Sequence, residues 1–370
     1  MRLVTDSGLW RIGAPVAPIP LAAVLEVSGA VLSWTVDEPS GGAGIQIVFT
    51  DVARADWLWR LVGEAGHVAV AAAAAEGPPQ EGCTVELGDI GIAGAAADAL
   101  RRLAVGHWLR RWWPASLRDG IAGLDRALLD AEIALGTAQM QDFFTEDTLD
   151  SDVAGLLRPH ASALASHRRS DDARVVELVR RCTDLADEVG LEWADIPVPG
   201  IDLAGSRDDY ALAAGGRGAR SNGAAEIATG TDSIRWTAVP PAMFDAAEDT
   251  VDWRIEGAGS DTNALVRVAL CGTHESAGVA VRVTSGVVEG AGVLDTNGHA
   301  TLWLLDERQQ PVAEMTAWGH DWTATTVTVG ASTGESAQTR RRGRDFARAR
   351  LSHPPQDAFL AEILAAESDY

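Results

Sequence analysis

Along the first ninety residues, apolar and β-branched positions come in short runs separated by turn clusters. Leu21 to Val36 is one such run, broken at Ser28 and Gly29, and Gly41 to Gly44 separates it from Ile45 to Phe49. Runs of this length between Gly and Ser clusters predict a meander or hairpin sheet. His67 to Ala75 and Thr84 to Leu87 read as two further strands flanking the turn at Pro78 and Pro79. Asp56 to Val62, carrying Trp57, Leu58, Trp59 and Leu61, reads as a short helix that closes one side of the sheet.

From Gly94 the period changes. Leu100, Leu103, Trp108, Leu109 and Trp112 follow helical spacing and stop at Pro114, where a helix interior cannot continue. Helices are predicted over residues 94–113, 125–144, 151–167 and 171–189. In the last, Val175, Leu178, Val179, Cys182, Leu185 and Val189 make an apolar stripe, acids stand at its start and Gly190 at its end. Short loops between these segments imply an antiparallel helical layer.

Pro197, Pro199 and Gly200 interrupt that pattern, and the stretch through Gly215, Gly216, Gly218 and Gly223 has few large apolar groups. Residues 195–230 therefore read as a Gly-rich linker. Alternation returns beyond it in Ile234 to Val239, Val251 to Ile255, Ala264 to Leu270, Val279 to Thr284, His299 to Leu305, Val312 to Trp318 and Thr325 to Val329, which predicts a β-sandwich over 231–330. Residues 331–370 form an Arg-rich tail: Arg340, Arg341, Arg342, Arg344, Arg348 and Arg350 precede Phe359, Leu360, Ile363 and Leu364, which are spaced as an amphipathic helix. The expected fold class is α+β and multi-domain, with a β-rich N-terminal part and its helical layer in residues 1–194, then the sandwich and a short terminal helix. A chain of 370 residues exceeds the usual size of a single core.

Leu294-Asp295-Thr296-Asn297-Gly298-His299-Ala300-Thr301-Leu302-Trp303-Leu304-Leu305, followed later by Thr326 to Val329, resembles the Asp-x-x-Gly turn and closing strands of prealbumin-like or immunoglobulin-like bacterial sandwich domains. Such domains are structural or binding units. The resemblance concerns fold only and implies no catalytic residues.

Hydrophobic residues make up 46% of the chain and charged residues 22%, so there is ample material for packed cores. All 30 basic residues are Arg, a usage typical of high-GC bacterial genomes. The net charge of -23 repels phosphate backbones and anionic membranes and favours a basic protein partner, while also keeping the chain soluble. Cys83, Cys182 and Cys271 stand far apart, with no CxxC spacing and no neighbouring His pair, and are expected to be buried, reduced thiols. Pro15, Pro18 and Pro20 break the early apolar stretch, unlike a signal peptide, and the longest apolar run, Val68 to Ala75, is far short of the ~20 residues a membrane span needs. A cytoplasmic location is expected.

Candidate chemistry is sparse. Gly330-Ala331-Ser332-Thr333-Gly334 matches the G-x-S-x-G nucleophile elbow, but the polar, Arg-rich stretch behind it lacks the apolar stripe such an elbow packs against. Gly88 to Gly94 joins a strand to a helix, yet without G-x-G-x-x-G spacing or a Gly-Lys-Ser sequence a helix-starting turn explains it. Cys271, His274 and Glu275 share one turn, where a hairpin supplies too few metal ligands. Asp130 and Glu132, or Asp171 and Asp172, read as solvated helix faces or helix N-terminal partners rather than acid–base pairs.

The aromatic and arginine clusters are the better candidates. Trp112 and Trp113 with Arg110 and Arg111 form one potential recognition face, although Trp108 and Trp112 at helical spacing also suit a core, and one of Trp112 and Trp113 must approach the surface. Trp318, His320 and Trp322, with Trp303 nearby in the sandwich, resemble in type a sugar-stacking set, and Arg340, Arg341 and Arg342 complete the candidate surface. The expected function is a non-enzymatic adaptor or scaffold with a protein partner and no cofactor. A hydrolase-type enzyme and a carbohydrate or small-ligand module are the alternatives.

Overall fold

The computed structural model describes residues 1–39, 44–75, 82–88, 90–191, 225–272 and 275–368. They fall into two compact units, one made of Met1–Ile196 with Glu335–Tyr370 and the other of Pro197–Gly334. The mixture of helices and antiparallel sheets makes the fold class α+β.

The first unit opens on strands β1 (Arg2–Asp6), β2 (Leu9–Ile12), β3 (Ala22–Val27), β4 (Ala30–Thr35) and β5 (Gln46–Phe49), followed by helix α1 (Trp59–Ala75) and strand β6 (Thr84–Glu86). The strands form one antiparallel sheet in the order β3-β4-β5-β2-β1-β6. Period-two alternation sends Leu3, Ile12, Leu25, Leu32 and Ile47 to the buried face. The β1–β2 hairpin turns on Ser7 and Gly8, both with positive φ, the geometry a two-residue hairpin loop requires. His67 to Ala75, read from the sequence as a strand, is instead the body of α1, which is broken at Gly63. Five successive Ala residues favour a helix, and burial of Gly66, Val70 and Ala73 with Val68 exposed follows the helical period.

The predicted helical layer comprises α2 (Gly94–Trp112), α3 (Arg126–Gln139), α4 (Glu146–Leu157), α5 (Ala161–His167) and α6 (Ala173–Glu188). The predicted 125–144 helix ends earlier, with a separate 3-10 turn at Gln141–Phe143. The predicted 151–167 helix is two helices joined by a 3-10 turn at Arg158–His160, where Pro159 removes a backbone donor. Asp125 and Asp172 cap α3 and α6 by accepting backbone N–H bonds. The Arg174 guanidinium and the capping bond together hold the Asp172 carboxyl down at about 2.

The second unit contains β7 (Glu226–Asp232), β8 (Val251–Ala258), β9 (Asp261–Val268), β10 (Ala280–Ser285), β11 (Val288–Val293), β12 (His299–Trp303), the short helix α7 (Glu314–Trp318) and β13 (Thr326–Val329). They form two antiparallel sheets, β12-β9-β8-β7 and β11-β10-β13. Val251, Ile255, Ala264, Val266 and Leu302 from one sheet, and Val281, Val283, Val288 and Val327 from the other, make the buried core. At Gly298 a Cβ would lie 2.6 Å from the Val268 carbonyl oxygen, and Asp295 Oδ1 accepts from the amides of Asn297 and His299, so the Asp-x-x-Gly turn singled out in the sequence is tightly specified.

Three segments of this unit differ from the sequence expectation. Val312 to Trp318 holds α7 rather than a strand, because Glu314, Met315 and Ala317 are helix formers. Ile234 to Val239 is a 3-10 turn at Trp236–Ala238 that runs into Pro240 and Pro241. The end of the predicted linker, Glu226 to Gly230, is part of β7, where Gly230 lies beneath the Trp253 ring. Most of the remaining linker, residues 195–224, lies outside the described residues.

The Arg-rich segment returns to the first unit as two helices, α8 (Ala337–Ser352) and α9 (Leu360–Ser368). It is not a basic tail. Phe346 meets the Trp108 ring edge-on at 5.2 Å, Phe359 is 1% exposed, and Leu360 is buried. At Gly106 on α2 a Cβ would stand 2.6 Å from the Phe359 ring and 2.8 Å from Ile133, so only Gly lets these elements approach so closely.

Candidate functional site

In the second unit, the β8–β9 turn lies at Gly259 and Ser260, and the register places Trp303, the last residue of β12, opposite Asn263 just beyond that turn. The α7 segment docks at the same end, through a bridge between Ala313 and Asp261 and a bond from the Glu314 amide to the Ser260 carbonyl. The β10–β11 turn at Gly286 and Val287 is brought there too, because His320 Nε2 lies 3.0 Å from Ser285 Oγ and Ser285 Oγ donates to the Asp321 carbonyl. Reciprocal backbone bonds between Glu289 and Leu305 join the two sheets beside it.

Four large apolar side chains on these segments are not absorbed by the core: Val287 at 62% exposure, Trp303 at 57%, Met315 at 87% and Trp318 at 54%, of which Met315 and Trp318 stand three residues apart on one side of α7. They are held on an ordered frame. Trp318 Nε1 donates to Glu314 Oε1 at 3.3 Å, and the Glu314 carboxyl presses so close to Gly257 that a Cβ there would lie 2.6 Å from it. Trp322 is buried, donates to the Ala317 carbonyl at 2.9 Å and stacks edge-on against the half-buried His320 at 4.4 Å. Glu289, Asp306, Glu307, Glu314 and Asp321 lie on the segments carrying these residues. The Asp321 carboxyl is held below its ordinary range, first by the Thr323 hydroxyl that donates to it.

The first unit shows the reverse arrangement, with charges inside. Asp130 is 1% exposed and accepts from Arg110 Nε through both oxygens at 2.9 and 3.0 Å, with His160 Nε2 at 2.9 Å and Arg126 at 3.6 Å. Burial, with the Arg110 guanidinium close by, pushes the His107 imidazole down to about 4. Glu362 is 0% exposed and takes two bonds from Arg350, at 2.5 and 2.8 Å, and one from the Phe359 amide. Glu132 joins Arg102 and the Leu360 amide. Each carboxylate is saturated by groups of its own unit and ties α3, α8 or α9 into the layer.

The sequence candidates scatter over both patterns. Trp113 is buried and donates to the Ala122 carbonyl, and Arg110 serves Asp130, so neither offers a recognition face. Arg111 stacks on the half-buried Trp112 ring at 4.0 Å, and both reach the surface only in part, as Arg110 does beside Asp130. Arg340 is buried with Arg344 and Arg350 on the inward face of α8, Arg342 pairs with Asp37 at 2.7 Å, and Arg341 is exposed. A surface made of all three arginines is therefore corrected, because consecutive helix positions point 100° apart. Of the sandwich set, Trp318 is exposed, His320 half-buried and Trp322 buried.

Asp130 and Glu132 are not a solvated face, and Cys83 is exposed rather than buried; Cys182 is buried and its thiol is pushed up to about 12. Ser332 is exposed in the irregular run after β13, with Thr333 bonded to Thr237. His274 and Asp89 lie outside the described residues. Among the described residues no three metal-capable side chains gather, and no helix is long and apolar enough to cross a membrane. Val287 and Met315 were missed by sequence reasoning. A lone Val in a turn and a Met in a segment read as a strand carry no signal until folding leaves them exposed. Compared with protein-family models, curated proteins and solved structures, the chain matches none of them.

Proposed function

We propose that the protein is a non-enzymatic adaptor whose second unit binds a partner protein at the α7 end of the sandwich. The observation that carries this reading is the exposure of Met315 and Trp318 together on one side of α7, a segment fixed by backbone hydrogen bonds. Single exposed apolar side chains are ordinary, but a Met and a Trp exposed side by side on one helix face have the composition of an interface centre. Trp is the residue type most often found at binding hot spots, and a side chain already held by Glu314 loses little rotamer freedom on binding. The acids on the surrounding segments and the net charge of -23 favour a partner segment that combines apolar anchors with Arg or Lys.

The test is purification of the tagged protein from its own cells, beside the Met315→Ser/Trp318→Ser variant. A stoichiometric partner retained by the native protein, lost from the variant and released by rising salt supports the reading. Equal recovery with both proteins sinks it. Retention of the native protein on a polysaccharide resin, lost in the variant, would move the site to the carbohydrate reading, which the two exposed indoles also favour.

A further inference from the structure

A second surface of different make lies in the first unit, where α1 passes the ends of β2 and β5. Leu9, Trp10, Phe49 and Val52 form one wall and floor of an open groove of about 700 Å³. The opposite wall is the face of α1 that carries His67, Ala71, Ala74 and Ala75, residues whose spacing puts them on one side of the helix. Asp51 and Asp56 line it, both exposed, and among its described lining residues there is no Arg.

We propose that this groove receives an amphipathic helix of a partner protein, with apolar anchors against Leu9 and the alanines of α1 and basic side chains facing Asp51 and Asp56. The volume is that of a binding site rather than a packing gap. From His67 to Ala75 the α1 wall spans about 12 Å at 1.5 Å per residue, long enough for anchors spaced i, i+3 or i+4, and i+7. Its alanines allow helix axes to approach to about 8 Å, which bulkier side chains would prevent. Charge selects among helices: an acidic one meets Asp51, Asp56 and a chain of net charge -23, and a basic one is drawn in. The chain's own apolar terminal helix is already placed elsewhere, since Phe359, Leu360 and Ala361 are buried and Leu360 is bonded to Glu132 on α3. This proposal uses no residue of the sandwich patch, so the two stand or fall separately.

The experiment is a fluorescence-anisotropy titration of the full chain with a labelled peptide of about 15 residues, built with Leu at helical anchor positions and Lys and Ala elsewhere. A matched peptide with Glu in place of Lys serves as the second probe. The Lys peptide is expected to bind about tenfold or more tightly than the Glu peptide, and Ala71→Arg is expected to weaken it by about tenfold or more. Ala71 is exposed, so that variant keeps its fold, which its melting temperature checks. Met315→Ser/Trp318→Ser should leave the titration unchanged. Equal binding of the two peptides, or Lys-peptide binding indifferent to Ala71→Arg, overturns the proposal. A native dimer that Ala71→Arg dissolves would assign the groove to a second copy and overturn it as well.

Discussion

The helical layer of the first unit and the α7 end of the second both place side chains against their usual preference, and they differ in who supplies the partner. Inside the layer, Asp130, Glu362 and the guanidinium of Arg350 are buried charges, each met by opposite charge or backbone amides of the same unit. At the α7 end, Met315 and Trp318 are exposed apolar groups that the described residues of their own unit leave uncovered. A side chain in an unfavourable medium points to function only when the fold does not itself relieve the cost. Buried ion pairs are relieved locally and concern architecture; exposed indoles on an ordered frame are relieved only by association.

That contrast is sharpest in the effects of substitution. Glu362→Ala leaves the Arg350 charge buried and unpaired and removes the acceptor of the Phe359 amide, so it should destabilise the first unit by about 3–5 kcal/mol. Arg350→Met/Glu362→Leu should recover most of that loss, measured by urea unfolding, because the desolvation cost disappears with the charges. A double variant as unstable as the single one would mean that the pair contributes more than mutual neutralisation.

His107 gives the next largest effect, and it depends on pH. The unfolded chain takes up its imidazole proton near 6.5, whereas the folded chain resists it down to about 4. The stability from His107 is therefore complete above 6.5 and lost as pH falls toward 4, by up to about 3 kcal/mol. His107→Asn should flatten that part of the stability–pH curve, and an unchanged curve would show that the site is more hydrated than its packing indicates.

Packing itself comes third. Gly106→Ala forces a methyl into the space between Phe359 and Ile133 and should cost about 1–3 kcal/mol, read as a lowered melting temperature of the first unit. The smallest stability effect belongs to the other side of the comparison. Met315→Ser should change the unfolding free energy of the second unit by no more than about 0.5 kcal/mol, since that side chain is 87% exposed. A larger loss would make the patch part of the architecture and erase the contrast.

Much of the α+β plan was legible from the chain because it rests on local period. The β3–β4 hairpin, α2 with its stop before Pro114, the α6 stripe and the Asp295–Gly298 turn all follow from neighbours in sequence. Alternation fails where composition is ambiguous: the apolar run of α1 reads equally as a strand, and Gly290 and Gly292 hide β11 among turn residues. The candidate surface was half legible, since Trp303 and Trp318 were visible as aromatics while Val287 and Met315 were not.

By itself the sequence determined the acidic charge, the helical and strand periods and the residue types available for binding. Only the tertiary structure decided which of them face water. Whether Trp113 or Trp112 is covered depends on a carbonyl at Ala122, and whether Arg340 is a surface cation depends on the path of α8 against its unit. Burial is a property of surfaces brought together across long separations, from Asn263 to Trp303 and from Glu132 to Leu360, and a local pattern carries no record of which distant surface will arrive.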